Sequence, residues 1–344
     1  MNLFYASTAY HVLLSYMLAL SDCENENNVL LLMGNSAANK TQSMFCSLFP
    51  KAFSKVICLE CYPDHNNFKR LRIRKKNLQE IKSLVEELCT IDKFYYTCDW
   101  KVEVNYISHL LQNTGTEFHY YDDGMATYMR GYKQSPRVAA LLSRVYFGKW
   151  RIVPKMEGLL NPSAHIHALM PELLPEIYPR ETREKINPEK MLLEVKTENF
   201  PQELRRYADI KVELLIALPT VDEINNTFMT AMRKQIYETD KRNGIAAIKK
   251  HPRTKADNPI ISQLRGDNAL IDLPTEYSAE IYYLLFAKSL KNVVGFASTA
   301  IMTAKMLLPA AKVTALYTSK SLAVNHQKTL DFFENMGIKL EKIE

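Results

Sequence analysis

The stretch MNLFYASTAYHVLLSYMLAL (Met1–Leu20) decides the fold, because it has two readings. Taken as one apolar run it resembles a secretory leader. It carries no positive charge ahead of its apolar part, however, and Ser7, Thr8, Tyr10 and His11 interrupt it. With those breaks respected it becomes a strand, NLFYA, and a following helix, YHVLLSYMLAL.

The same unit recurs outward from this start. Strand-like runs NLFYA, NVLLLM, KVICLE, KFYYT and EFHYYDD alternate with helical patterns such as KVEVNYISHLLQN in the first half. VELLIAL, GIAAIKK, ALIDL, NVVGFA and KVTALYT do so in the second. Alternation of this kind predicts parallel sheets covered by helices on both faces. A chain of 344 residues is long enough for two such cores. Between the halves, prolines at 154, 162, 171, 175, 179, 188 and 201 mark a non-periodic stretch. The expectation is an α/β protein with a Rossmann-like domain over 1–155, a proline-rich interdomain segment over 156–206 and a second Rossmann-like domain over 207–344. The two domains would face each other across a central cleft.

Several functional classes are disfavoured at once. The ten glycines form neither G-x-G-x-x-G nor a P-loop, so a nicotinamide oxidoreductase or P-loop NTPase is not expected. No apolar run is long enough to predict a spanning helix. The six cysteines lack framework spacing and read as reduced thiols; CLEC (Cys58–Cys61) has no second pair to complete a zinc ribbon. Formal net charge is +6, and FKRLRIRKK (Phe68–Lys76) concentrates six cations between Lys69 and Lys76. That run reads either as a solvated helix face, since NLQEIKSLVEEL continues it with acids, or as a surface attracted to lipid headgroups or an acidic glycan. No nucleic-acid motif accompanies it.

In open α/β sheets ligands bind beyond the carboxyl ends of the strands. After EFHYY come Asp122, Asp123 and Gly124, either a tight turn or a general base facing a ligand. After GIAAI come Lys249, Lys250, His251, Pro252 and Arg253, either a basic turn or an anion site with a proton donor in it. After NVVGFA, Ser298 and Thr299 open a helix, either as an ordinary cap or as a phosphate site.

YDDG at 121–124, KKHP at 249–252 and ST at 298–299 stand in an order that resembles bacterial sialyltransferases of GT-B type. Glycosyltransferase family 52 comes first, with the capsular polysialyltransferases and the marine multifunctional enzymes as relatives. STAYHVLLSY looks like the first strand-to-helix turn of such enzymes, which marks Thr8, Tyr10 and His11 as acceptor-side candidates. The resemblance implies that Asp122 or Asp123 is the base, with Asp122 the first choice, and that His251 assists departure of CMP. It further implies that Lys249, Pro252, Arg253, Ser298 and Thr299 hold the donor. Glu280, with Glu276 in reserve, would meet the ribose. The implied reaction is inverting and needs neither metal nor cofactor; the donor is CMP-sialic acid. The acceptor would be a galactose-terminated lipooligosaccharide or capsular glycan. An enzyme of this kind would be cytoplasmic, with Lys69–Lys76 drawing it to the inner membrane face, and members of the family can form homodimers. The alternatives are a transferase of the same fold using CMP-Kdo or CDP-glycerol, a non-catalytic glycan-assembly protein, and a sugar-nucleotide epimerase.

Overall fold

The computed structural model describes residues 1–24, 26–34, 36–61, 67–129, 137–154, 156–219, 224, 226–251, 263–264, 270–318 and 326–343. The chain divides into two compact units, Met1–Leu193 and Glu194–Glu344. The first holds β1 (Asn2–Ala6), β2 (Asn28–Leu32), β3 (Lys55–Cys58), β4 (Lys93–Tyr96), β5 (Glu117–Tyr121), β6 (His165–Ala168) and β7 (Arg183–Lys185). They pair in the order β3-β2-β1-β4-β5-β6-β7, all parallel. The second holds β8 (Val212–Ala217), β9 (Ile245–Lys249), β10 (Leu270–Leu273), β11 (Asn292–Phe296), β12 (Lys312–Tyr317) and β13 (Lys339–Lys342). Its order is β10-β9-β8-β11-β12-β13, again all parallel.

Both orders reverse once, between β1 and β4 and between β8 and β11. These are the switch points where doubly wound sheets open a crevice at their carboxyl ends. The inner strands show why the apolar runs were continuous rather than alternating: β1 and β2 are buried at every residue, because helices cover both faces. The helix Ala9–Ser21 is buried from Tyr10 to Leu20, which accounts for its leader-like composition. Thr8 starts it, accepting a hydrogen bond from the His11 amide at 3.2 Å. In the second unit Leu214, Ile216, Phe228, Met232, Ile248 and Val294 form the core. A Cβ on Gly295 would lie 2.6 Å from the Ala217 carbonyl oxygen, so only glycine lets β8 and β11 approach at the switch point.

Residues 156–206 give the first sheet β6 and β7, pass from the first unit to the second after Leu193, and give the second unit the helix Gln202–Ala208. HIHA and REK have no apolar run to announce them; HIHA is held as a strand by pairing to β5, and REK by pairing to β6.

Candidate active site

At the carboxyl ends of β1, β4 and β5 in the first unit lie Ser7, directly after β1, Cys98, two residues after β4, and the pair Asp122–Asp123, directly after β5. The two aspartates have different environments, as the alternation of strand side chains requires. Asp122 is fully buried. Its Oδ1 accepts from the Tyr10 hydroxyl at 2.8 Å and the Gly124 amide at 2.6 Å. Its Oδ2 accepts from the Tyr128 hydroxyl and, at 3.5 Å, from the Leu169 amide. Burial raises its pKa to about 6, although these donors pull the other way. Gly124, at φ 76°, makes the turn that lets the amide fold back on the carboxylate.

Asp123 faces a different set. Its Oδ1 lies 2.5 Å from His11 Nε2, and its Oδ2 accepts from the Cys98 thiol at 3.1 Å. Its own amide donates to Thr127 Oγ1 at 2.8 Å. Burial would raise its pKa, but the charge and hydrogen bond of His11, with further hydrogen bonds from Glu157 and Cys98, hold it well below the usual carboxylate range. Cys98 sits at φ 50°, a left-handed conformation rare outside glycine, and burial beside Asp123 keeps it a protonated donor. His11 Nδ1 lies 3.1 Å from Ser7 Oγ, completing a Ser7–His11–Asp123 chain. The Asp123 side chain retains 17% exposure, whereas Asp122 retains none, so Asp123 is the aspartate a substrate could reach.

In the second unit Lys249 ends β9, buried, with Nζ donating to the carbonyls of Lys250 at 2.5 Å and Thr275 at 3.3 Å. Burial lowers its pKa to about 8 against the opposing pull of Glu280 and Glu276. Lys250 pairs with Asp272 at 2.8 Å, and His251 follows, half-buried. Glu280 is buried and accepts from Thr303 Oγ1 at 3.2 Å, which sets it against the helix Thr299–Leu307. Ser298 begins that helix in an extended conformation, its side chain making no cap, with no acid in the first turn. Ser298 and Thr299 are half-buried at a helix N-terminus whose dipole favours an anion. Pro252 and Arg253 lie outside the described residues.

A family model described as alpha-2,8-polysialyltransferase matches residues 2–317. The chain belongs to that family. None of the curated proteins matches it. Among solved structures, the UDP-GlcNAc 2-epimerase of Methanocaldococcus jannaschii with UDP-GlcNAc and UDP is similar at 12% identity and TM-score 0.54, over 100% of this chain and 89% of that one. The Neisseria meningitidis UDP-GlcNAc 2-epimerase bound to UDP-GlcNAc gives 12% and 0.54, over 99% and 95%. A glycotransferase of kitacinnamycin gives 11% and 0.52, over 100% and 86%. Identities this low show the fold, shared by GT-B glycosyltransferases and these epimerases. The family match makes the polysialyltransferase-family chain a sialyltransferase.

In this polysialyltransferase-family chain the sequence motifs and the structure meet unevenly. Thr8 caps its helix and Tyr10 anchors Asp122, while His11 alone of the three acceptor-side candidates touches Asp123. Ser7, Cys98 and Glu157 escaped the sequence reading. The strand-end rule would have found Ser7 and Cys98 had it been applied to β1 and β4. Glu157 sits in the proline-rich segment and carries no local signal.

Proposed function

We propose that this chain transfers sialic acid from CMP-sialic acid to a hydroxyl of a terminal sialic acid on an acidic glycan, with inversion and without a catalytic metal. The observation that carries this reading is the Ser7–His11–Asp123 chain at the switch point of the first sheet. The family description supports an α2,8 linkage, and so a sialoside acceptor in preference to the galactoside expected from sequence.

The chemistry follows from the residues. The bond from the anomeric carbon to the phosphate oxygen breaks, and its electron pair leaves with CMP. The buried Lys249 ammonium, the Ser298 and Thr299 hydroxyls and the helix N-terminus stabilise that charge. His251 donates a proton or a hydrogen bond to the departing phosphate. The acceptor hydroxyl attacks from the opposite face and loses its proton to Asp123, which His11 and Cys98 orient; Asp122 builds the turn that presents it. Glu280 is assigned to the ribose hydroxyls.

The acceptor side also carries the basic helix Asn67–Leu88. Lys69, Arg72, Lys75 and Lys76, all exposed, line with Glu60 and Gln79 a cavity of about 920 Å³. Lys76 is partly neutralised by Glu60 at 3.0 Å and Glu80 at 3.6 Å, in keeping with the solvated-face reading. The remaining charge suits a polyanionic glycan. No helix among the described residues is long and apolar enough to cross a membrane. A reaction drawing on a nucleotide-activated sugar is assigned to the cytoplasmic side, with the glycan as the anionic partner of the basic face.

Turnover of CMP-sialic acid by variants tests this reading. Asp123→Asn and His251→Ala should each lower kcat by about 10²–10⁴, the usual worth of positioned acid–base groups. Full activity in Asp123→Asn would overturn the assignment. Turnover of CMP-Kdo or CDP-glycerol, without turnover of CMP-sialic acid, would keep the site and replace the donor.

A further inference from the structure

Near the C-terminal end of the helix Ala9–Ser21 in the first unit, five further groups meet. Strand register places His119 beside His165, and His167 beside Glu184, across β5, β6 and β7. Asp22 comes from the C-cap of the helix. His167 is 1% exposed, and its Nδ1 has no hydrogen-bond partner. That atom points between two carboxylates, 3.5 Å from Asp22 Oδ2 and 3.5 Å from Glu184 Oε2. The three ligand atoms lie within 4.8 Å of one another.

Two equal separations of this size are long and misdirected for hydrogen bonds. They match two edges of a coordination polyhedron, since metal–ligand bonds of about 2.0–2.2 Å set tetrahedral neighbours about 3.3–3.6 Å apart. The surrounding residues complete the pattern. His167 Nε2 lies 2.9 Å from His119 Nδ1, and His119 Nε2, also without a hydrogen bond, lies 3.5 Å from Glu117 Oε2. One tautomer assignment makes sense of both orphan nitrogens. The Glu117 carboxylate near His119 Nε2 favours the proton on that nitrogen, His119 Nδ1 then accepts the hydrogen bond donated by His167 Nε2, and His167 Nδ1 presents a lone pair. A lone pair aimed at two carboxylates is repulsive unless a cation lies between them. A carboxylate–histidine relay behind a ligand is what orients metal-binding imidazoles. His165 Nδ1, 2.6 Å from Glu184 Oε1, occupies the other oxygen of that carboxylate.

We propose that Asp22, His167 and Glu184 bind one divalent transition-metal ion of the zinc class. The imidazole with two carboxylates suits Zn²⁺, and the side chains of Asp22 and Glu184, 30% and 42% exposed, leave a route for the ion and a position for water. The ion ties the end of the helix that carries His11 to β7, an edge strand of three residues. It lies apart from the Asp123 cluster and takes no part in sialyl transfer. The second group with ligand spacing among the described residues, His11, Cys98 and Asp123, already satisfies its atoms by internal hydrogen bonds.

The test uses the full chain, stripped with chelator, confirmed folded and titrated with Zn²⁺. Metal content is measured after gel filtration, and Tm with and without the ion. The expected result is one Zn²⁺ retained per chain and a Tm raised by about 5 °C at saturating metal. Asp22→Asn and Glu184→Gln replace partly exposed groups by isosteres, so the metal-free variants should melt with metal-free wild type. Each should bind Zn²⁺ at least about ten-fold more weakly, and the double variant should retain none. Failure of wild type to retain Zn²⁺ would overturn the proposal. So would retention unchanged in the double variant but lost in Cys58→Ser/Cys61→Ser, which would put the ion at the C-x-x-C.

Discussion

Replacing Asp122 and Asp123 one at a time by asparagine should produce opposite dependences of stability on pH. Asp122 is fully buried with its pKa raised from 3.8 to about 6, so the folded state prefers its protonated form. A raised folded-state pKa contributes stability that is fully present below pH 3.8 and is lost as pH rises through 6. A displacement of that size corresponds to about 3 kcal/mol. The stability gap between wild type and Asp122→Asn should therefore shrink by about 3 kcal/mol between pH 3.5 and 7. Asparagine also turns a donating NH2 toward hydroxyl and amide donors, so the variant should still be about 2–4 kcal/mol less stable at neutral pH. Asp123 has its pKa held down by His11 and its other partners, so its contribution is present above pH 3.8 and fades only as pH falls below that. The gap for Asp123→Asn should be flat from pH 5 to 7 and close at lower pH. Urea unfolding followed by circular dichroism across this range measures both gaps. A gap for Asp122→Asn that widens as pH rises would refute the assignment of Asp122 as the buried, structural partner.

Ser298→Ala removes a hydroxyl that caps nothing, so Tm should stay within about 2 °C; calorimetric titration with CMP should show about ten-fold weaker binding. Gly295→Ala should cost about 1–3 kcal/mol in urea unfolding, because the new Cβ meets the Ala217 backbone carbonyl, which cannot turn aside as the Ile301 side chain can. Changing Lys69, Arg72, Lys75 and Lys76 to glutamine should raise KM for a long sialoside with little change in kcat, and should flatten the dependence of KM on salt. Equal salt dependence in the two proteins would remove the basic face from acceptor binding.

How far the sequence could be read depended on the physics of each element. Inner strands such as β1, β8 and β11 are apolar apart from Asn2, Glu213 and Asn292 because both faces are covered, and they were visible for that reason. The edge strands β7, REK, and β13, KLEK, are short and charged, as edges exposed to solvent are, and no periodicity marks them. HIHA in β6 was hidden because its two histidines look like loop residues until Asp22, Glu184 and His119 are seen around them. At the site, residue types and their positions at strand ends were legible. Which aspartate faces out was not, since a register difference of one residue reverses it. Tyr10 and Tyr128 turned out to claim Asp122, and His11 to claim Asp123.

The most direct measurement follows CMP-sialic acid and a sialylated acceptor by proton NMR, in EDTA and at a temperature where circular dichroism shows the protein folded. On this account CMP release should be matched mole for mole by a new glycoside of inverted anomeric configuration, and Asp123→Asn should slow both by about 10²–10⁴. Retention of configuration, CMP release without a glycoside, or activity that returns only when a divalent ion is added would contradict it.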